Sequence, residues 1–102
     1  NNKKNYKDFI SIQKFGEIIS MIILKDLKGT FNVSIGQKVY LNDLVKWLNH
    51  FNKRKFKIIN YNKASNRNFY LNNRKLMSKI KIINDLKSLK EDSLNLSKKL
   101  FR

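Results

Sequence analysis

The stretch MIILKDLKGTFNVSIGQKVY, residues 21 to 40, changes its hydrophobic period part-way, and that change decides how the chain divides into elements. In and before its first half, Phe15, Ile18, Ile19, Ile22, Ile23 and Leu27 recur at spacings of three and four, with Glu17, Ser20 and Lys25 off that stripe. The period is helical, so a helix is expected over about residues 9–27, ending near Gly29, which takes a left-handed cap position without a Cβ penalty. Its apolar residues cover more than half the circumference, which places it in the core or at a self-association interface. In the second half, Phe31, Val33 and Ile35 alternate with Thr30, Asn32 and Ser34, the period of a half-buried strand over 30–35. Gly36-Gln37 suits a two-residue turn with Gly first, which would return residues 38–40 as a second short strand.

Working outward, residues 1–7, NNKKNYK, are polar and expected to fray. LNDLVKWLNHFNKR, residues 41–54, is an amphipathic helix by its stripe of Leu41, Leu44, Val45, Leu48 and Phe51. Asn42 is its candidate N-cap, Asp43 suits the first turn, and the basic residues sit at the end that the helix dipole favours. KFKIINYN (55–62) and RNFYLN (67–72) read as the strands of a hairpin. RKLMSKIKIINDLKSLK (74–90) returns to helical spacing through Leu76, Ile80, Ile83 and Leu86, and the tail from Glu91 adds a last short helix. The expected fold is therefore α+β, in the order helix-strand-strand-helix-strand-strand-helix, an antiparallel sheet with helices packed on one face. Its 102 residues suit a single domain.

Composition restricts the chemistry. A hydrophobic share of 41 %, with 12 % aromatics, is enough for a core, so the high charge does not imply disorder. The absence of cysteine excludes a disulfide scaffold and a thiolate zinc site, and the single histidine, His50, excludes a histidine cluster within one chain. The longest apolar run, IISMIIL at 18–24, is far shorter than the roughly 18 residues of a membrane span. No signal-peptide pattern is visible, and a start on Asn1 rather than Met is what a fragment or a processed form would show. A nuclease or phosphotransferase needs clustered carboxylates to hold a divalent metal, and the closest acidic pair, Glu91-Asp92, lies in the tail. The three glycines are isolated, so no loop is built to cradle phosphate. No enzyme activity, cofactor or metal is expected.

The net charge of +16 instead favours a polyanionic partner. Asn, Lys, Ile, Tyr and Phe make up 57 residues, and their A/T-rich codons point to an A/T-rich genome, with a mitochondrion or other organelle, or the cytoplasm of such an organism, as the expected setting. Codon bias explains Lys over Arg. It does not explain the scarcity of acids, since Asp and Glu codons are not G/C-rich. Residues 44–84 carry eleven Lys or Arg and no Asp or Glu, whereas acids and bases mix elsewhere.

Strand alternation sorts that block. With Phe56, Ile58, Phe69 and Leu71 turned to the core, Lys55, Lys57, Ile59 and Tyr61 share the opposite face with Asn68, Tyr70 and Asn72, and Thr30, Asn32 and Ser34 join it if the strands form one sheet; Ile59 has no explanation on that face. Cations for phosphates, amides and hydroxyls for base edges or the 2′-OH, and rings for stacking are the parts that nucleic-acid readers use. The candidate nucleic-acid-binding residues are Lys53, Arg54, Lys55, Lys57, Tyr61, Lys63, Arg67, Tyr70, Arg74 and Lys75. Trp47 borders the apolar stripe of its helix and is expected in the core or an interface. His50, with no ligand partner at helical spacing, reads as a surface residue.

The order of elements, with MIILKDLKG leading into TFNVSI, resembles the LAGLIDADG homing-endonuclease and maturase core. Gly29 matches the last glycine of that family's signature, Asp26 falls on its first acidic position, and Lys28 falls where the family carries its metal-binding carboxylate. The resemblance implies a saddle-shaped sheet lying on nucleic acid and a first helix that pairs two units; the lysine implies binding without cleavage. A winged helix is the rival fold, since a helix followed by a basic hairpin is present at 41–72, but that fold needs two helices before its wing. The function expected is a non-enzymatic RNA-binding protein, a structural component of an organellar ribosome or another ribonucleoprotein, with RNA favoured over DNA, no membrane, and a protein partner or a second copy on the first helix. The alternative is the DNA-binding domain of a mobile element or regulator, including a LAGLIDADG-type nuclease unit.

Overall fold

A computed structural model describes residues 5–53 and 68–101. The fold is α+β: helices with a two-stranded antiparallel sheet, in the order β1 (Tyr6–Lys7), α1 (Ile12–Leu24), β2 (Val39–Tyr40), α2 (Leu41–Leu48), α3 (Arg74–Met77) and α4 (Leu86–Leu100).

Helix α1 starts where Ser11 caps it, its hydroxyl accepting from the Lys14 amide at 3.0 Å and donating to Asp92 of α4 at 2.7 Å. The apolar period selects the buried side: Ile18 is fully buried, with Met21 and Ile22 packed beside it. The left-handed residue that ends the helix is Asp26 (φ 52°), three positions before the expected Gly29. Around it the Asp26 amide donates to the Ile23 carbonyl and the Leu27 amide to the Ile22 carbonyl, the paired bonds of a Schellman motif. Leu27 then packs with Ile22 on the core, the apolar contact that such an ending favours.

Residues 30–35 form no strand ladder, which corrects the expected first strand. Phe31 and Val33 turn to the core, Ile35 is buried, and Thr30 and Asn32 are exposed, but Ser34 is buried too, so the alternation breaks at its end. The backbone groups of this segment bond to side chains in place of a strand. The Ser34 carbonyl accepts from the side-chain amides of Asn73 and Asn84, at 2.7 Å each. The Ile35 and Gly36 amides donate to the two carboxylate oxygens of Asp8, at 3.0 Å each.

Gly36 does adopt a left-handed conformation (φ 72°), yet the chain beyond it does not return on 30–35. Strand β2 pairs with β1, Tyr6 opposite Tyr40 and Lys7 opposite Val39, so residues expected to fray supply the partner from Tyr6 onward. The Tyr6 and Tyr40 rings meet edge to face at 5.6 Å, and Lys38 lies over Tyr6 at 4.9 Å.

Helix α2 is shorter than its apolar stripe, ending at Leu48 with Asn49 as its buried C-cap. Tyr40, not Asn42, occupies the N-cap position and makes no side-chain cap; Asp43 lies in the first turn as expected. Trp47 packs with Leu44 on a second core cluster of Ile35, Val39 and Leu89.

The expected helix over 74–90 is broken. Helix α3 ends at Met77, and from Ile80 the burial runs with period two: Ile80 buried, Lys81 exposed, Ile82 half-buried, Ile83 exposed, Asn84 buried. β-branched residues suit such a segment better than a helix. Helix α4 begins afresh behind a reciprocal cap, in which Asp85 accepts from the Ser88 amide and the Ser88 hydroxyl accepts from the Asp85 amide, and it takes in the whole tail to Leu100. It turns Ser88, Leu89, Ser93 and Ser97 inward and leaves Leu96 and Leu100 exposed. Helices α2 and α4 are in contact, and the fully buried Ser97 accepts from the Phe51 amide just beyond α2 at 3.0 Å, a small side chain that lets the two approach closely.

Candidate nucleic-acid interface

Of the ten candidate residues, Lys53, Tyr70, Arg74 and Lys75 are described, while Arg54, Lys55, Lys57, Tyr61, Lys63 and Arg67 lie outside the described residues. The described part of the second expected strand, 68–72, forms no ladder. Phe69 and Leu71, expected in the core, are exposed like Tyr70 between them. Contacts to the N-terminal segment hold it up: Asn68 Oδ1 accepts from the Tyr6 amide at 3.1 Å, Lys7 lies over the Phe69 ring at 5.0 Å, and the Leu71 amide donates to Asp8 at 3.1 Å. Asp8 therefore accepts from three backbone amides on two distant segments and fixes residues 35–36 against residue 71.

That clasp creates a recess. Tyr70, Leu71, Asn72, Asn73 and Arg74 line a pocket of about 350 Å³ with Gly36. Asn72 makes the turn into α3, its Oδ1 accepting from the Arg74 amide at 3.0 Å and its carbonyl accepting from the Asn32 side chain at 2.9 Å. Asn73 turns inward to the Ser34 carbonyl. Gly36 is required on both counts that matter: its φ is left-handed, and a Cβ there would lie 2.6 Å from Asn73 Oδ1. The guanidinium of Arg74 and the hydroxyl of Tyr70 have no hydrogen-bond partner among the described residues.

Lys75 is separated from its neighbour Arg74 in role. Its ammonium donates to the Thr30 carbonyl at 2.9 Å and lies 5.0 Å over the Phe31 ring, so it fastens the loop after α1 to α3 while remaining exposed. Lys25 does the same from the other side, donating to the Lys79 carbonyl at 3.2 Å. Lys25, Lys28, Lys75 and Lys79 thus belong to one stretch of surface made by the end of α1 and the turn after α3. Charge density over 44–84 did not single out Lys25 and Lys28, because the fold brings them there from outside the block. Lys53 is exposed beyond the end of α2, next to Phe51 and His50, whose rings meet edge to face at 4.7 Å.

Four of the seven acids are engaged elsewhere. Asp8 serves three amides, Asp85 caps α4, Asp92 accepts from Ser11, and Asp26 pairs with Lys28 at 2.9 Å. Among the described residues no group of three or more His, Cys, Asp or Glu side chains is placed to hold a metal ion. Nor is any described helix long and apolar enough to cross a membrane. No family model, curated protein or solved structure matches the chain.

Proposed function

We propose that this protein is a non-enzymatic RNA-binding protein, a structural component of a ribonucleoprotein such as an organellar ribosome. The observation that carries the reading is the disposition of charge: Asp8, Asp85 and Asp92 are tied to amides and a hydroxyl of the scaffold, Glu17 and Asp26 pair with Lys14 and Lys28 of the first helix and its end, and the run of eleven bases over 44–84 contains no acid, so it has little internal compensation. An uncompensated basic surface of this kind binds phosphates through counterion release. The exposed Tyr70 and Asn72 beside Arg74 add a ring and an amide, which suit unpaired RNA.

The test is the salt dependence of binding to a labelled single-stranded RNA. Affinity falls steeply with salt, and replacing Lys55, Lys57 and Arg67 together lowers the log–log slope by about two, three contacts at roughly 0.7 each on a single strand. Weak binding at low salt, indifferent to the triple replacement, would leave an assembly role in which the charge is only genomic bias.

The DNA-binding alternative, in its LAGLIDADG-like form, keeps the same basic surface, and Lys28 is the residue that bears on cleavage. The Asp26 carboxylate stands exposed at the end of α1, paired at 2.9 Å with the Lys28 ammonium, the residue that replaces the family's metal-binding carboxylate in that resemblance. That pairing supports binding without cleavage, and magnesium-dependent cutting of a duplex would overturn the RNA reading.

The reading extends to self-association through α1. Ile12, Ile23 and Leu24 are 84 %, 71 % and 79 % exposed, and among the described residues nothing lies within 4 Å of the position a Cβ would take at Gly16 between them. Residues 8–26 carry Asp8, Glu17 and Asp26 against Lys14 and Lys25, so this face is free of the positive field that would repel a second copy. A second copy of the chain is accordingly the partner proposed. Ile23→Lys with Leu24→Lys abolishes any dimer seen by sedimentation; a dimer that survives the pair of changes uses another surface.

A further inference from the structure

We propose that the recess between Gly36 and residues 70–74 receives a single unpaired nucleotide of an RNA strand, its base against the Tyr70 ring and its phosphate on the Arg74 guanidinium. The inference rests on the RNA-binding reading and narrows it to one nucleotide position.

Three features lead to it. The first is size: about 350 Å³ lies at the lower end of the roughly 300 to 1,000 Å³ of small-ligand sites, room for a nucleotide and not for a duplex. The second is the polarity of the lining. Arg74 offers a guanidinium without a partner among the described residues, Asn72 has its Oδ1 occupied by the Arg74 amide and keeps its Nδ2 hydrogens to donate, and Tyr70 presents a hydroxyl. The Asp8 carboxylate is bonded through Oδ2 to the Gly36 and Leu71 amides, so it buttresses the lining. Arg74, Asn72 Nδ2 and the Tyr70 hydroxyl give the lining donors with no carboxylate among them, and Asn73 Oδ1 stands beside Gly36 as an acceptor; a nucleotide answers both, with acceptors on its phosphate and donors as well as acceptors on its base edge.

The third feature is rigidity. Arg74 and Asn72 are fixed relative to each other by the turn, Asn73 is held by Ser34, and Asp8 ties the Gly36 side to the Leu71 side. The half-exposed Tyr70 ring (51 %) therefore stands on a pre-formed frame, which lowers the ordering cost of binding. A base inside a duplex has both faces stacked and cannot present one to this ring, so the site distinguishes unpaired from paired RNA.

The experiment compares binding of the full chain to a single-stranded oligoribonucleotide and to the same strand in an uninterrupted duplex. A 4-thiouridine version of the single strand is then photocrosslinked and the attached peptide is mapped. The expected result is a crosslink within residues 70–74. Tyr70→Ala is expected to weaken single-strand binding roughly five- to 150-fold, what base–aromatic stacking is worth, with duplex binding within about twofold. Tyr70→Phe keeps the ring and retains single-strand affinity, and Arg74→Ala weakens the single strand more than the duplex. Unchanged far-ultraviolet circular dichroism shows that the variants fold.

Equal losses on strand and duplex, or crosslinks confined to other peptides, would overturn the nucleotide site and leave RNA binding standing. Displacement of the strand from Tyr70 by a modest excess of a free nucleoside monophosphate would reassign the pocket to a soluble nucleotide. Failure to bind either RNA at low salt would remove the RNA-binding reading itself, and this inference with it.

Discussion

On one side of the molecule α2 and α4 lie against each other through Leu44, Trp47 and Leu89, with Ser97 bonded to the Phe51 amide; on the other, residues 30–36 meet residues 68–84 largely through polar side chains on backbone groups. The first side is packing between helices, where small residues set the distance. The second has apolar contacts as well, Ile18, Leu76 and Ile80 at its centre, but its loops have no ladder to satisfy their amides and carbonyls. Asp8, Asn73 and Asn84 take that role. A chain with seven acids commits one of them to three amides, and this keeps a carboxylate out of the basic surface while shaping it. Scaffold and candidate site are thus joined at one residue.

Asp8→Ala should therefore do the most damage of any exchange considered. It removes three bonds to a charged acceptor and leaves part-buried amides unsatisfied, a loss of about 3 kcal/mol. For a domain near this size that lowers the melting temperature by roughly 12 to 24 °C. Asp8→Asn retains one acceptor oxygen and should lose about half as much. A melting temperature within a few degrees of the parent for Asp8→Ala would mean that the apolar cluster alone holds the loop side together.

Ser97→Leu tests the helical side. Ser97 is fully buried on α4, and its hydroxyl accepts from the Phe51 amide at 3.0 Å. A larger side chain forces α4 away from α2 and should cost about 1 to 3 kcal/mol. Ser97→Ala, which removes only the hydrogen bond, should cost about 1 kcal/mol. If thermal denaturation ranks the two the other way, spacing is not what Ser97 provides.

The same contrast explains what the sequence discloses. The helical side is legible: the apolar stripe of α2 is local, and Leu44 and Trp47 face inward as expected. The loop side is not, because its determinants are non-local. Asp8 acts across 27 residues to Ile35 and 63 to Leu71, and no spacing rule connects them. The β1–β2 pairing joins two-residue segments too short to show an alternation, one of them in a polar stretch. The break between α3 and α4 did carry a local signal: Asp85 three residues before Ser88 marks a helix start, and the β-branched Ile80, Ile82 and Ile83 disfavour a continuous helix. Leu76, Ile80 and Ile83 outweighed it because they also fit a helical period. At the candidate site, Tyr70 and Arg74 are visible as a ring and a cation close in sequence, whereas Gly36 joins them only through the Asp8 clasp, and its expected role in a hairpin turn pointed elsewhere.

The smallest expected effect is one of sign. Asp26 adopts a left-handed conformation that costs a residue with a Cβ more than it costs glycine, and its only described ion pair, with Lys28, is exposed on both sides. Asp26→Gly relieves the backbone and gives up a surface pair worth little, so it should stabilise the protein by about 0.5 kcal/mol. It also raises the net charge by one and frees the Lys28 ammonium, which should strengthen RNA binding modestly at low salt and less at high salt. The two readouts separate the roles of this acid. Greater stability with tighter binding means that Asp26 serves neither the scaffold nor the interface, unlike Asp8. Loss of stability in a melting experiment would instead show that the Lys28 pair braces the end of α1, and the contrast between a structural acid at Asp8 and a dispensable one at Asp26 would fail.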